Sequence, residues 1–200
     1  MVIDGVEVKL ADDGEILVKG PNVMKGYYLT PELTAEVISA DGWFHTGDIG
    51  QWVDGKFLKL TDRKKEIFKT SAGKYVAPQA VEAKLKESFF IEQSVVVGDG
   101  QKYAAALIVP SFDAIKEFCR VESIAYSTDA EIIKNEKILA KFRAEVEEVN
   151  KELAPYERVK KYHLLPRELS VAEGELTPTL KPKRRIIQEK YKKEIAELFE

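Results

Sequence analysis

The stretch that decides how this chain is organised is Thr61-Asp62-Arg63-Lys64-Lys65-Glu66-Ile67-Phe68-Lys69-Thr70-Ser71-Ala72-Gly73-Lys74. Two apolar segments typical of β-strands flank its charged core, and a loop of small residues closes it. The sequence before it is Gly-rich and hairpin-like, whereas the sequence after it becomes mostly helical in pattern. A dense charge cluster at such a change predicts a junction between two structural units.

Composition narrows the class of protein. The chain has 200 residues, 44% hydrophobic and 32% charged, which favours a soluble globular protein over a disordered one. Its net charge of -3 is too small to indicate a polyanionic partner for the whole molecule. Cys119 is the only cysteine, so no intramolecular disulfide can form and a reducing, cytoplasmic setting is expected. Two histidines and one cysteine do not make a usual structural zinc site, and no metal site is predicted.

The first sixty residues predict hairpins with one short helix. Apolar and charged residues alternate up to Leu10, and Asp13-Gly14 is a favoured two-residue hairpin turn before a return strand over residues 15–19. Thr30-Pro31 predicts a helix start, because proline is well tolerated in the first helical turn. Two more strands are expected, joined by a turn at Asp54-Gly55 and ending at Leu60.

After the junction the apolar residues recur at helical spacing. Pro78 to Ser88 predicts a helix with Val81, Leu85 and Phe89 on its buried face. A hairpin across Asp99-Gly100, two further helices, a short strand and one final helix follow; their apolar residues are Val95–Val97, Tyr103–Val109, Ile115, Phe118, Ile138, Phe142, Val146, Val149, Leu153, Val159–Leu165, Ile187, Tyr191, Ile195 and Leu198. The predicted class is therefore α+β: a small antiparallel β hairpin or barrel remnant, then a C-terminal α+β domain whose small sheet is flanked by helices.

Four segments, in this order, carry a resemblance to one enzyme superfamily. They are Gly14-Glu15-Ile16-Leu17-Val18-Lys19-Gly20 with Gly26-Tyr27-Tyr28 and Pro31, Trp43-Phe44-His45-Thr46-Gly47-Asp48, Asp62-Arg63-Lys64-Lys65, and Thr177-Pro178-Thr179-Leu180-Lys181-Pro182-Lys183-Arg184. They resemble a core motif, the ribose-binding motif, the hinge motif and the catalytic-lysine motif of the acyl-CoA synthetase, non-ribosomal peptide adenylation and luciferase superfamily. The Leu-Thr-Pro-Thr-Leu-Lys version looks most like the long-chain fatty acid branch.

The resemblance implies a division of the chain and an activity. Residues 1–62 would be the last, β-rich segment of a large N-terminal AMP-binding domain, residues 63–65 a hinge, and residues 66–200 a mobile C-terminal domain. The family's phosphate-binding loop and aromatic adenine motif are absent from this sequence. The chain thus resembles the C-terminal fragment of an ATP-dependent long-chain fatty acid–CoA ligase, which forms acyl-AMP from a fatty acid and ATP and then a thioester with CoA. The fragment is expected to be inactive without the N-terminal domain, in which the Mg²⁺ ligand would lie.

Asp48 and Arg63 are the candidate nucleotide-binding residues. A fixed carboxylate can accept hydrogen bonds from both ribose hydroxyls, and in the family the arginine that Arg63 matches contacts the ribose. Without the resemblance, Asp48 would more often be a turn aspartate after Gly47. His45 is expected to pack or to form hydrogen bonds rather than to act as an acid or base.

The junction itself divides into residues with different expected duties. Lys65 matches the hinge position, where backbone torsions absorb domain rotation, whereas Lys64 is expected to be a solvated charge. Lys69 and Gly73 belong to the segment that, in the family, enters the active site for the second half-reaction and lines the path of CoA. Lys69 is a candidate catalytic residue there, with an ordinary surface lysine as the alternative. Ala72 stands where relatives often carry a second glycine.

Lys181 is the strongest catalytic candidate. When a carboxylate attacks the α-phosphate of ATP, two anions meet, and a positive charge that reaches both lowers the barrier. Residues Thr177 to Thr179 predict a loop, so Lys181 would extend from a flexible arm, although Leu180 replaces the glycine found in much of the superfamily. The alternative is a basic cluster that binds the phosphate of CoA, acidic lipid or nucleic acid. Nucleic acid is disfavoured because aromatic residues are not interleaved with the charges.

Two other functions stay open at this point. The chain could be a non-catalytic module that binds CoA or a partner protein, or part of an adenylating enzyme for another carboxylic acid or a carrier-protein acceptor. No apolar run reaches the length of a membrane span, and the first residues lack a signal-peptide pattern. The expected location is the cytoplasm, with peripheral membrane association as a further expectation.

Overall fold

The computed structural model describes residues 2–64 and 66–200, which form two compact units, Met1–Ile67 and Phe68–Glu200. The break between the units falls in the charged stretch where the sequence predicts a junction. The finer division into residues 1–62, 63–65 and 66–200 stays a prediction, and the expected hinge residue Lys65 lies outside the described residues.

The first unit is an antiparallel sheet with one short helix. Four strands pair in the order β1-β2-β3-β4, and α1 lies between β2 and β3 in the chain. The bounds are β1 Glu7–Leu10, β2 Glu15–Lys19, α1 Pro31–Val37, β3 Phe44–Val53 and β4 Phe57–Arg63. Strand β4 continues past the predicted end at Leu60, because Asp62 pairs with Ile49 and Arg63 with Asp48 beyond a register shift. All but the first residue of the ribose-type motif, Trp43–Asp48, lies within β3 rather than before a strand.

The second unit is built on a three-stranded sheet in the order β7-β8-β9. Strands β7 and β8 form the predicted antiparallel hairpin, whereas β9 runs parallel to β8 and so needs a long crossover that three helices provide. The bounds are β5 Phe68–Lys69, β6 Tyr75–Val76, α2 Pro78–Leu85, β7 Ile91–Val97, β8 Ala104–Pro110, α3 Phe112–Val121, α4 Asp129–Ile132, α5 Glu136–Glu152, β9 Val159–Leu164, α6 Arg184–Lys190 and α7 Lys192–Glu197. The structure thus confirms the α+β class.

Strand β8 is the centre of the second unit, because all seven of its residues are buried. Successive side chains of a strand point to opposite faces, so Ala104, Ala106 and Ile108 join one apolar cluster and Ala105, Leu107 and Val109 join the other. The first cluster includes Phe142 of α5, and the second includes Ile187 of α6. The sheet is therefore covered on both faces.

Two details of the helices differ from prediction. Helix α2 ends at Leu85, three residues before the predicted end, and Phe89 is 78% exposed instead of buried. The predicted final helix is two helices, because Tyr191 has φ -106° and ψ 27°, outside the α-helical region, and separates α6 from α7. Tyr191 nevertheless stays buried, so the apolar spacing predicts its burial although the helix is interrupted.

Candidate functional site

The first unit brings Asp48 and Arg63 together. They are paired residues of β3 and β4, and Arg63 Nε lies 3.2 Å from Asp48 Oδ1. Thr46 Oγ1 accepts a hydrogen bond from the Asp48 backbone N–H at 3.1 Å and holds this end of the motif. The side chains are 25% and 68% exposed, so solvent reaches both groups. A half-buried carboxylate beside a guanidinium is chemically suited to a vicinal diol such as that of ribose.

Position 47 needs a glycine because of its backbone torsion angle, and not because a side chain would lack space there. Its φ is +72°, a conformation that residues with a side chain rarely adopt. A Cβ added there would meet nothing within 4 Å among the described residues. The Gly47 carbonyl accepts a hydrogen bond from the Lys64 N–H at 2.8 Å, which ties the ribose-type motif to the start of the hinge motif.

A buried carboxylate that the sequence analysis did not select organises this part of the first unit. Glu15 is 3% exposed and lies 3.0 Å from His45 Nδ1, 3.0 Å from the Gly47 N–H and 2.8 Å from Lys64 Nζ. Burial alone would raise the pKa of Glu15, but hydrogen bonds from Lys64, His45 and Gly47 outweigh it and lower the pKa below its usual value. Glu15 therefore stays ionised and fixes the backbone just before Asp48.

Lys64 is not the solvated charge that the sequence predicted. Its Nζ also lies 2.7 Å from Asp13, so it bridges two carboxylates, and these contacts raise its pKa. His45 makes a hydrogen bond to Glu15 at 3.0 Å, as the sequence predicts, and its lack of an acid–base role stays a prediction. No local signal marks Glu15 as buried, because a charged residue at the start of a strand is usually exposed.

The Lys69–Gly73 loop lies in the second unit as the connection between β5 and β6. Gly73 has φ +79°, and its N–H donates to the Thr70 carbonyl at 2.8 Å. Lys69 is exposed, and its Nζ lies 5.4 Å from the ring centroid of Tyr75, within the range of a cation–π contact. The structure thus places Lys69 and Gly73 side by side on a surface.

A second turn holds the backbone of the Lys69–Gly73 loop. The Gly100 N–H donates to the Lys69 carbonyl at 2.9 Å, and the Ser71 N–H donates to the Gln101 carbonyl at 2.9 Å. This support comes from the β7–β8 connection, about thirty residues later in the chain. The loop is therefore held against the β7–β8 connection of its own unit and is not a free segment.

Lys181 is exposed at the end of a closed turn, which we call the Lys181 turn and define as Thr177–Lys181. The Thr177 N–H donates to the Lys181 carbonyl at 2.8 Å, and Thr177 Oγ1 accepts from the Lys181 N–H at 3.0 Å. Leu180 has φ +59°, so it occupies the left-handed region that glycine favours. The predicted flexible arm is thus a tight, hydrogen-bonded turn, and the glycine of many superfamily members would suit this torsion better than leucine.

Two buried carboxylates that sequence reasoning missed flank the Lys181 turn. Glu175 is fully buried, and Arg167 contacts it in two-pronged fashion at 2.9 and 2.7 Å. Burial alone would raise the pKa of Glu175, but hydrogen bonds from Arg167 and Lys190 lower it to about 2. On the other side, Arg184 makes two contacts with Glu82 of α2, at 2.7 and 2.8 Å.

No group of three or more His, Cys, Asp or Glu side chains among residues 2–64 and 66–200 is arranged to hold a metal ion. These residues do not fit a Mg²⁺ site of their own. In the described part of the chain no helix combines the length and apolarity needed to cross a membrane.

Residues 65–200 match the family described as AMP-binding enzyme C-terminal domain. Long-chain-fatty-acid–CoA ligase 6 of Homo sapiens is 40% identical over 190 residues, which are 94% of this chain and 27% of the relative. Long-chain-fatty-acid–CoA ligase FadD15 of Mycobacterium tuberculosis is 36% identical over 200 residues, 98% of this chain and 33% of the relative. The chain therefore spans a third or less of these curated relatives.

Solved structures share the fold. The A domain of carboxylic acid reductase from Segniliparus rugosus, in complex with AMP and a co-purified carboxylic acid, superposes with a TM-score of 0.78 at 23% identity. The match covers 97% of this chain and 31% of that chain. The A-PCP didomain of the same reductase in complex with AMP gives a TM-score of 0.77, also at 23% identity, with 97% and 27% covered.

Proposed function

The chain belongs to the family of AMP-binding enzyme C-terminal domains, and from this premise we propose that it is the C-terminal part of an ATP-dependent long-chain fatty acid–CoA ligase. The parent enzyme would form acyl-AMP and pyrophosphate from a fatty acid and ATP, and would then transfer the acyl group to CoA. The observation that carries this proposal is the 36 to 40% identity to curated ligases of that name over almost the whole chain. The fragment is proposed to be inactive alone, because it covers only 27% and 33% of the two ligases compared above.

Lys181 is the proposed catalytic residue of the first half-reaction. Its ammonium group would approach both the fatty acid carboxylate and the α-phosphate of ATP and offset the negative charge that concentrates as they react. Its exposure at the end of a closed turn supports this role, since the side chain can reach a ligand that the rest of the chain does not enclose. Mg²⁺ would be held by residues of the parent outside this chain.

Asp48 and Arg63 are the proposed nucleotide-binding pair. The carboxylate of Asp48 would accept hydrogen bonds from the ribose hydroxyls, and the guanidinium of Arg63 would donate to ribose or phosphate oxygens. Their contact at 3.2 Å orients both groups before the nucleotide arrives. AMP in the structure from Segniliparus rugosus supports nucleotide binding by this fold in general.

Lys69 and Gly73 are proposed to act in the second half-reaction. The Lys69–Gly73 loop would line the path of CoA, with Gly73 leaving room beside the chain and Lys69 offering a charge to the acyl-adenylate or to CoA. The pivot between the two half-reactions is proposed at Lys65 on the resemblance alone. A cytoplasmic location and peripheral membrane association likewise remain proposals.

The two half-reactions can be measured separately to test Lys181. In the parent enzyme, Lys181→Ala should lower the rate of adenylation, followed by ATP–pyrophosphate exchange, by on the order of 10²- to 10³-fold, as expected when one group that stabilises transition-state charge is removed. Thioester formation from supplied acyl-adenylate should stay near the unsubstituted rate. Lys192→Ala, which removes an exposed lysine of α7, is the matched control and should leave both rates unchanged.

Equal losses of both half-reactions in Lys181→Ala would contradict the proposed role.

A second candidate function, an adenylating enzyme for another acid or acceptor, is favoured by the fold shared with a reductase A domain and its A-PCP didomain. Replacing CoA by a carrier protein, or the fatty acid by shorter and aromatic acids, in the same assays separates the two candidates. A non-catalytic module would bind CoA but support neither half-reaction.

A further inference from the structure

The Lys181 turn is closed by a short stem, which we define as Glu175–Leu176 paired with Pro182–Lys183. Backbone contacts hold the two sides of the stem together. Leu176 and Pro182 form an isolated antiparallel bridge, and the Lys183 N–H donates to the Glu175 carbonyl at 2.8 Å. The residues just before and just after Lys181 are therefore paired with each other. Any group that fixes Glu175 in space also fixes the position from which the Lys181 side chain extends.

The side-chain carboxylate of Glu175 has several hydrogen-bond and ion-pair partners. Besides Arg167, it accepts hydrogen bonds from the Ser170 N–H at 3.1 Å and the Tyr191 hydroxyl at 3.2 Å, and it lies 3.0 Å from Lys190 Nζ. These donors come from the segment before the stem and from the end of α6 after it. The buried carboxylate of Glu175 thus links the segment before the Lys181 turn to the segment after it.

A second ion pair fixes the stem on its C-terminal side. Arg184 directly follows Lys183 and makes its two contacts with Glu82, whose Oε1 also accepts a hydrogen bond from the Val96 N–H at 2.7 Å. This links the start of α6 to α2 and to strand β7. The Lys181 turn is therefore the exposed end of a stem held by one buried carboxylate on each side.

Stability alone is a weak explanation for Glu175. The desolvation of a buried ion pair often cancels its Coulomb attraction, so apolar side chains of similar volume would stabilise the fold about as well. Apolar side chains would not fix the orientation of the stem, whereas the two-pronged contact between Arg167 and Glu175 allows only one orientation. We propose that Glu175 is a positioning residue that, through Arg167, Lys190 and Tyr191, sets the place of Lys181 for adenylation. This inference rests on the role proposed above for Lys181.

The test is Glu175→Gln in the parent enzyme, which keeps the shape of the side chain and removes its charge. We expect kcat for adenylation to fall by about 10²-fold, the loss that follows a displacement of a reacting group by about 1 Å, with thioester formation from supplied acyl-adenylate unchanged. A merely structural role would lower the fraction of active protein and so reduce both half-reactions equally. Such an equal loss, or unchanged adenylation, would overturn the proposal.

Glu173→Gln is the matched control, because it makes the same charge change two residues away. Glu173 contacts the same cations, Lys190 at 2.7 Å and Arg167 at 3.8 Å, but it is exposed whereas Glu175 is buried. Both half-reactions should stay at the unsubstituted rate. If Glu175→Gln does not fold, Arg167→Lys keeps the charge and removes the two-pronged contact, and it should again lower adenylation alone.

Lys181→Ala measured in parallel separates this inference from the proposed function. If Lys181→Ala retains adenylation, the role of Lys181 fails and the positioning role of Glu175 fails with it. If Lys181→Ala loses adenylation whereas Glu175→Gln retains it, only the positioning role is refuted. If both lose adenylation and keep thioester formation, both proposals are supported.

Discussion

Leu180 is the residue at which sequence and backbone geometry disagree most clearly. It has φ +59°, where a side chain costs roughly 1 to 2 kcal/mol. Its own side chain is 70% exposed and so recovers little of this cost by burial. The glycine that much of the superfamily carries here avoids the strain. Leucine at this position therefore holds the Lys181 turn closed at an energetic disadvantage.

Replacing Leu180 by glycine should stabilise the chain. We expect Leu180→Gly to raise the free energy of unfolding by about 0.5 to 1 kcal/mol, since relief of the left-handed strain exceeds the entropy that glycine adds to the unfolded state. Urea unfolding followed by circular dichroism measures this. Leu180→Ala is the control: it also shortens the side chain but keeps the strain, and it should not stabilise. Equal effects of the two substitutions would show that the torsion is not the cause.

At the scale of elements, the Lys69–Gly73 loop depends on support from elsewhere in its unit. Strands β5 and β6 have two residues each, too few to define a loop by themselves. The hydrogen bonds with Gly100 and Gln101 supply the missing constraint. The left-handed torsion of Gly73 completes the turn, so the shape of the loop depends on this residue and on the β7–β8 connection together.

A side chain at Gly73 should therefore impair the second half-reaction selectively. In Gly73→Ala the new Cβ meets only Lys69 Cε, at an ordinary 3.7 Å, so the cost is torsional and about 1 to 2 kcal/mol. On the role proposed for this loop beside CoA, we expect thioester formation in the parent enzyme to slow about 10-fold while adenylation is maintained, because a displaced loop would misalign CoA. Gly55→Ala, with φ +65° and equally open surroundings, imposes the same strain in another turn. A comparable slowing in both variants would contradict a role of the loop.

At the scale of the whole molecule, the two units differ greatly in the apolar core that they contain. Among the described residues, both clusters of buried hydrophobic side chains belong to the second unit. Of the described hydrophobic residues of the first unit, only Ile16 and Leu17 are buried. Since burial of apolar surface is the main favourable term in folding, the second unit carries most of the stability.

Residues 68–200 should consequently fold without the first unit. We expect cooperative urea unfolding with a slope of about 1 to 3 kcal/mol/M, as for other small domains. Far-ultraviolet circular dichroism is the suitable probe, because Trp43 and Trp52 both lie in the first unit. Residues 1–67 alone should show no cooperative transition in tryptophan fluorescence. A gradual, non-cooperative loss of signal from residues 68–200 would refute the prediction.

The local features of this protein were determined by the sequence itself. Asp13-Gly14, Asp54-Gly55 and Asp99-Gly100 lie at hairpin turns, because the torsions that such turns need are set by the residues within them. The helix after Thr30-Pro31 follows from the proline in its first turn, and the long helix α5 follows from its Asn135 cap and its apolar spacing. Lys181, Asp48 and Arg63 were selected from motifs that are contiguous in the chain, and their functional roles remain predictions.

Only the tertiary structure decided which strands pair over long distances and which charges are buried. The parallel pairing of β9 with β8 joins distant segments, which no local pattern specifies. The exposure of Phe89 and the break at Tyr191 likewise do not follow from the apolar spacing. Glu15, Glu82 and Glu175 look like surface charges in the sequence. Their partners Lys64, Arg184 and Arg167 lie 49, 102 and 8 residues away. A carboxylate is recognisable as a buried anchor only once the fold has removed it from water and brought its cation to it.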